Sequence, residues 1–598
     1  MTRVGLAFIL YLCVANLQAQ QDICYLWATV AALGCGDGVC RAYIYDELAR
    51  CENGEMMLPP APPPPPSPPT PCGGPQRQAR PGATVAGPRQ QSSSGPPCAV
   101  LVDPVPLNYP NLTSPLEYQS LVNQAGTGLV TDPGLLATGG NPVMGIGADS
   151  AARLVVRLYA NAPGDQLKVT LSGQGGGAFG RLKTLLPADN PQQGSQVTVT
   201  AVDTHTAGTM AFVQYLPPPD FSRGGSDDTA PSRVATIMVT ELATGATYST
   251  DVTIWRPPVV LVHGLWSGWT TWSNFNNTLF NPSNQFFTTR SDYSQSVGLT
   301  SALPNEYLGF QLAGAPASSL GFEYNAPTVL TAIRAGVDTF RQANQSAGVQ
   351  ADVVAHSMGG VITRTAVHLP SFADSQTFDV GPVHKLVTIG TPHLGSPLAV
   401  ALLQPASSCI REILGFAANL VLASGMFADS SAPIDGAVFD LQGTAAGQPL
   451  SQPLIAITQG MFPGIPTAVL AGQAMPNNLS SLSGPTAAGL RAYCNSNPMV
   501  PADPLAASLT PTGWGANFAG FPMDGVVAVR SQLNNTSDDG NGSSGFVSYG
   551  ILHSSALNLL GFSGTDELND SYLASKVIYL LNYPLSTGGS SSYFKPLQ

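Results

Sequence analysis

The stretch that decides the fold is "VVAHSMGGVITR", Val353 to Arg364. An apolar, β-branched run precedes Ser357, and the residues after it follow helical spacing. A strand turning sharply into a helix lifts a serine hydroxyl above the sheet that carries it. So tight a turn leaves no room for bulk two residues before or after the serine. Ala355 and Gly359 occupy those two places. The helix starting there would aim its free N–H groups, that of Met358 among them, at a developing negative charge. The competing reading is an ordinary buried serine at the start of a helix.

Working outward, strands and helices alternate. "PPVVLVHGLW" reads as a buried strand and "NAPTVLTAIRAGVDTFRQANQSAG" as a helix. "VQADVVAHS" is a strand and "GGVITRTAVHL" a helix. "HKLVTIGTP" and "PLIAITQG" read as strands, and "SKVIYLLNYP" as a closing helix. Continuous β-branched runs between helices predict a mostly parallel sheet over 257–598, with helices on both faces. Chemistry in such sheets sits at the carboxyl ends of strands, where Ser357 falls.

The rest of the chain is organised differently. At 598 residues it is long enough for about three or four folded units. Its 24 Lys and Arg against 36 Asp and Glu leave a net charge of −12. An acidic chain without basic clusters argues against nucleic acid and anionic membrane as main partners. Arg3 followed by "VGLAFILYLCV" and "ANLQAQ" predicts a signal peptide over 1–19, cleaved near Ala19. The apolar run is too short to span a bilayer. The mature protein is therefore expected to be secreted or extracytoplasmic, without a transmembrane span. Cys13 lacks the small residue expected before a lipidated bacterial cysteine.

Cys24, Cys35, Cys40 and Cys51 are separated by ten, four and ten residues. Two short helices around the turn "CGDGVC" would form a hairpin over 20–57, closed by Cys24–Cys51 and Cys35–Cys40. Four cysteines allow three connectivities, and a four-cysteine zinc site is a competitor that export disfavours. "PPAPPPPPSPPTP", Pro59 to Pro71, is a polyproline spacer reaching about 40 Å at ~3.1 Å per residue. The whole of 58–97 reads as a disordered linker, across which Cys72 and Cys98 are placed to pair. From 98 to 256, short alternating segments such as "ARLVVRLYA", "QLKVTLSG" and "RVATIMVTEL" predict an antiparallel sandwich of immunoglobulin-like kind. His205, in a strand–turn region of this sandwich, reads as structural.

A serine needs a base to attack at neutral pH. The seven histidines are His205, His263, His356, His368, His384, His393 and His553. His356 adjoins the serine, with its side chain expected to point away across the turn. His368 lies on the following helix, and His384 precedes a strand. His263 precedes the serine and reads as loop packing. On sheets of this kind the order is serine, acid, histidine. His553, in "GILHSSALN", fits that order, with His393, in "GTPHLGSP", as its rival. In "GFPMDGVVAVRSQ", Asp524 sits before a turn glycine and would orient the histidine. Asp503, Asp538 and Asp539 are rivals that read as solvated loop acids. "VVLVHGLW" ends in His263-Gly264, where glycine permits close backbone approach, so the N–H of Leu265 is a candidate for a second oxyanion donor beside Met358. A plain strand-end turn is the alternative at that place.

Taken together, "VVLVHGLW", "VVAHSMGGVITR", "LVTIGTPHLGSPLA", "MDGVVAVRSQ" and "LHSSAL" resemble the lipase/esterase branch of the α/β-hydrolase superfamily. The resemblance covers Pro257 to the C-terminus and departs from the common pattern at Ala355, where glycine is usual. It implies Ser357, Asp524 and His553 as a catalytic triad, with Leu265 and Met358 as backbone oxyanion donors. It implies acyl transfer to water, with no metal or organic cofactor. Some lipase relatives bind structural calcium, but no ligand cluster here compels it.

Insertions near 396–450 and 461–521 read as caps over the site, or as helices packed on the sheet. Cys409 and Cys494 are placed to staple the two. Trp266, Trp269 and Trp272 would line an acyl pocket or join the core. The expected partner is an ester or lipid substrate, with surface or lipid-interface contact open. Two alternatives stand beside hydrolysis. One is an acyltransferase using the same triad, and the other a surface binding or adhesion protein with an inert hydrolase domain. Asn111 and Asn478 lie in N-x-[ST] sequences.

Overall fold

A computed structural model describes residues 98–106, 119–173, 178–221, 230–265, 267–273, 275, 279, 286–294, 320–404, 409–410, 436–443, 450–459, 464–496, 502–534, 545–585 and 593–596. The expected signal peptide, helical hairpin and proline linker lie outside these residues, as do Trp266, Asp538, Asp539 and Asn111.

The predicted parallel sheet is present. Its strands are β1 (Val259–Val262), β2 (Thr288–Ser291), β3 (Ala351–His356), β4 (Val383–Ile389), β5 (Pro466–Gln473) and β6 (Gly545–Tyr549). They lie side by side in the order β2-β1-β3-β4-β5-β6, and each pair is parallel. All residues of β1, β3 and β4 are buried, as an apolar strand covered on both faces must be. Alternate residues feed opposite layers. Val260 and Val262 pack with helices α1 (Phe322–Asn344) and α2 (Met358–Val367). Val259 and Leu261 pack with Leu573, Val577 and Leu580 of α4 (Ser571–Asn582). α1 earns its place through Val329, Ile333, Val337 and Phe340, which recur at helical spacing on one buried stripe.

One strand differs from expectation. "PLIAITQG" is not a strand but lies in helix α3, Gln452–Gln459. The strand is β5, "PTAVLAGQ", a few residues later. A short apolar run has the same periodicity in either form, so tertiary pairing decides. The second insertion therefore begins after β5. The chain leaves at Ala474 and returns at Met523, whose carbonyl accepts from the Ala474 N–H at 2.7 Å. Cys409 and Cys494 are bonded, tying the two insertions together. Cys98 is also disulfide-bonded.

Ahead of this sheet, two mainly antiparallel sheets share one core. Ala99–Asp103, Leu154–Tyr159 and Thr209–Leu216 belong to one; Gln166–Gly173, Ser232–Glu241 and Thr247–Trp255 belong to the other. Leu101, Leu158 and Phe212 from the first meet Val169, Ile237 and Val252 from the second. The two regions are sewn together. Ser346–Ala347, just past α1, adds a parallel strand to Gly145–Ile146 of the second sheet. Arg341 of α1 reaches Asp103 at 2.8 Å, with both side chains buried. Asp149 accepts backbone N–H bonds from Val349 and Gln350 at 2.7 and 2.9 Å.

A second buried junction lies at the start of β3 and β4. Lys385 Nζ donates to Asp220 Oδ2 at 2.9 Å and to the carbonyls of Leu581 and Tyr583. His384 Nδ1 meets Asp352 Oδ1 at 2.8 Å, and its Nε2 meets the Pro219 carbonyl at 2.9 Å. Burial alone would push the His384 pKa down. The bond to Asp352, aided by Asp220, outweighs it, and the pKa is raised.

Candidate active site

The carboxyl ends of β1 and β3 adjoin, and the sheet order reverses between them. Open parallel sheets form a crevice at such a place. Ser357 follows β3 with φ 54° and ψ −131°, then α2 begins at Met358. A serine held at positive φ costs about 1–3 kcal/mol, which the surrounding packing must sustain. The turn is wedged against the end of β1. A Cβ at Gly359 would stand 2.4 Å from the His263 carbonyl and 2.6 Å from that of Val262, so only glycine fits there. The Ser357 N–H is held by the Ile389 carbonyl at 2.9 Å.

The three residues predicted from sequence converge on this turn. His553 Nε2 lies 2.8 Å from Ser357 Oγ, and His553 Nδ1 lies 2.7 Å from Asp524 Oδ2. The exposures of the three side chains are low, at 8% for Ser357, 5% for His553 and 0% for Asp524. Asp524 is fixed by its own turn, where Oδ1 accepts from the N–H groups of Val526 and Val527 at 2.8 and 2.7 Å. Gln532 Nε2 donates to Oδ2 at 2.8 Å and also to the Gly472 carbonyl, tying the acid to the end of β5. The His553 N–H donates to the Asp524 carbonyl at 3.0 Å, so the two loops are also joined through backbone. The helical excursion between β5 and Asp524 supports them from above. Trp514 Nε1 donates to the Gly525 carbonyl at 3.0 Å, and its ring packs edge-on against Phe562.

Met358 opens α2, so its N–H is one of the helix's unpaired first-turn donors. Leu265 follows Gly264, which lies close enough to Ser357 that a Cβ there would come within 2.7 Å of the serine Cβ. This loop is anchored by Tyr293, for which the sequence carries no signal. Its ring stacks on His263 at 3.9 Å, its hydroxyl donates to the His263 carbonyl, and its N–H meets His263 Nε2.

The rival residues are placed elsewhere. His393 is buried between Arg364 and Thr388, at 3.0 Å from each. Asp503 caps a short helix and accepts from the Ile410 N–H. His205 is exposed and pairs with Asp203. Trp272 is fully buried in the core on the α4 side, whereas Trp269 is exposed beneath Arg290. His356 departs from expectation. Instead of pointing away, its ring lies 4.9 Å from that of His553, and its Nε2 is 3.1 Å from Glu567 Oε2. Burial first, and the neighbouring His553 next, hold the His356 pKa well below the usual imidazole value.

Glu567 has no signal in the sequence, because it follows His553 and so falls outside the chain order serine, acid, histidine. It is completely buried. Burial, then Asp524, then Asp566 push its pKa well above the usual carboxylate range. His356, His553 and Glu567 present ligand atoms within 4.8 Å of one another. Both ring nitrogens of His553 are already engaged, by Ser357 and Asp524. The other close group, Cys409, Cys494 and Asp503, is spent on a disulfide and a helix cap. Among the described residues no all-carboxylate group of the sort calcium takes is gathered. No helix among them is long and apolar enough to cross a membrane.

Residues 258–402 match the family described as "Putative serine esterase (DUF676)", a span that contains Ser357 and the loop after β1. No curated protein matches the chain. Among solved structures it is similar to the mature lipase BlEst2 of Bacillus licheniformis, at 15% identity and TM-score 0.28 over 54% of this chain and 91% of that one. It is similar to the Staphylococcus hyicus lipase at 14% identity and TM-score 0.30, over 54% of this chain and 95% of that one. It also resembles phospholipase PlaB from Legionella pneumophila, at 18% identity and TM-score 0.23, over 36% of this chain and 39% of that one.

Proposed function

We propose that the chain is a serine hydrolase that cleaves carboxylic esters of the lipid class through an acyl-enzyme on Ser357. The observation that carries this reading is the unbroken relay Ser357–His553–Asp524, with bonds of 2.8 and 2.7 Å, on a strained turn at the sheet's switch point. In the resting site the Ser357 hydroxyl donates to His553 Nε2. As Oγ attacks the ester carbonyl, its proton passes to Nε2, and Asp524 Oδ2 holds the imidazolium at Nδ1. The N–H groups of Met358 and Leu265 receive the oxyanion. His553 then protonates the leaving alcohol, and water repeats the sequence on the acyl-enzyme. Nucleophile, base and oxyanion donors all come from the chain, so this reaction calls for no cofactor or metal.

The same proposal includes export after cleavage near Ala19, an immunoglobulin-like identity for 98–256 and a cap built from the two insertions. The apolar N-terminal run, the shared antiparallel core and the Cys409–Cys494 staple support these parts in turn.

The test is hydrolysis of p-nitrophenyl esters from acetyl to palmitoyl by the mature chain and by Ser357→Ala. The variant is expected to lose activity by about 10⁴-fold or more. A preference for long acyl chains would fit a lipase and one for short chains an esterase. Wild-type inactivity on every ester, or an equally active variant, would overturn the reading.

A further inference from the structure

Glu567 is brought to the triad by a local pairing. The short strands β7 (Ile551–Leu552) and β8 (Thr565–Asp566) lie parallel, with Leu552 opposite Asp566. The next residue on each is His553 and Glu567. His553 Nδ1 stands 3.4 Å from Glu567 Oε2, besides its 2.7 Å bond to Asp524. The two carboxyl groups thus converge on one imidazole nitrogen, each with an oxygen within 3.4 Å of His553 Nδ1.

The space for this second acid is made by the ends of two other strands. A Cβ on Gly390, just past β4, would fall 1.9 Å from Glu567 Oε2. A Cβ on Gly472, in β5, would fall 2.5 Å from Oε1. The carboxyl therefore fills a slot between the carboxyl ends of β4 and β5 that any larger residue at either position would close. The titratable groups facing it are Asp524, His553 and His356, with Asp566 adjoining and His263 beyond His356.

Two carboxylates this close in a buried site cannot both ionise at neutral pH. We propose that Glu567 is a positioning residue of the site: its carboxyl donates the one proton of the pair to the Asp524 carboxylate, and it can replace Asp524 as the partner of His553 Nδ1. This inference rests on the serine-hydrolase reading. At rest the pair carries a single negative charge, which balances the imidazolium formed when the Ser357 proton reaches His553. At alkaline pH the proton leaves Glu567. A second negative charge then lies beside His553, strengthening it as a base and giving a second rise in rate above the first.

The experiment follows the rate at which a fluorophosphonate labels Ser357, by intact-protein mass spectrometry from pH 5 to 10, on the full mature chain. This reaction forms the Oγ–P bond, expels fluoride and passes the serine proton to His553, so it needs no knowledge of the natural ester. The variants are Glu567→Gln, Asp524→Asn and the double variant, with thermal melting followed alongside. Wild type should show two rising limbs, and Glu567→Gln only the lower one. Asp524→Asn should keep at least about tenfold more labelling than the double variant, because the freed Glu567 carboxylate takes over Nδ1; loss of a lone orienting acid costs about 10⁴-fold in the serine-protease case. If the Glu567→Gln profile overlays that of wild type and the two Asp524→Asn chains label equally, the assignment of Glu567 fails while the nucleophile stands. If wild type is not labelled and Ser357→Ala is indistinguishable from it, the hydrolase reading fails and this inference with it.

Discussion

Strands β3 and β4 carry buried charge at both ends, and the two ends handle it differently. At their starts, Asp352, His384 and Lys385 meet Asp220 from the antiparallel region. Acid and base face one another there, and backbone carbonyls take the remaining donor bonds of Lys385. At their carboxyl ends, two acids, Asp524 and Glu567, crowd two histidines. A neutralised cluster holds parts together, and its members have no vacant capacity. Burial holds His356 uncharged, so the two acids there lack matching cations and crowd a single proton between them.

The comparison breaks most sharply at Lys385. Replacing it by methionine, K385M, keeps the volume but strands Asp220 without its cation and leaves Asp352 to His384 alone. Removing one partner of a buried pair costs about 3–5 kcal/mol. The denaturant midpoint should fall accordingly, while ester turnover per folded molecule is unchanged. A midpoint equal to wild type would show that the junction contributes little.

A smaller effect is expected at the other end. Tyr293→Phe removes the hydroxyl that donates to the His263 carbonyl, beneath the loop carrying Leu265. Stability should drop by about 1 kcal/mol for the lost buried bond. The rate should suffer more: kcat about tenfold lower with KM nearly constant, because a displaced oxyanion donor acts on the transition state. A change in KM alone would mean that the loop serves binding instead.

The smallest effect is on the pH dependence of stability. His384 has a raised pKa in the folded chain. Its contribution is thus complete below the unfolded imidazole value, about 6.5, and fades as pH rises through the folded value. The wild-type melting temperature should decline across that window, and His384→Gln should decline less. Parallel slopes for the two chains would place the titration elsewhere.

The sequence by itself determined the parallel sheet and the tight turn at Ser357. Continuous β-branched runs can be buried only on both faces, and small residues around Ser357 admit only a tight turn. It also pointed to Asp524 and His553, since chain order and turn glycines narrow the choice of partners. It placed the fifth strand on "PLIAITQG", which is helical, because a short apolar run carries no period that separates strand from helix. The tertiary structure alone decided what surrounds the triad. Tyr293, His356 and Glu567 have no local signature, and each matters through a neighbour far away in the chain. Glu567 is the clearest case: glycines on two strands open its slot, and a two-residue pairing sets it beside His553. Its proton is a property of that meeting, because burial and a second acid, not residue type, decide whether a carboxyl ionises.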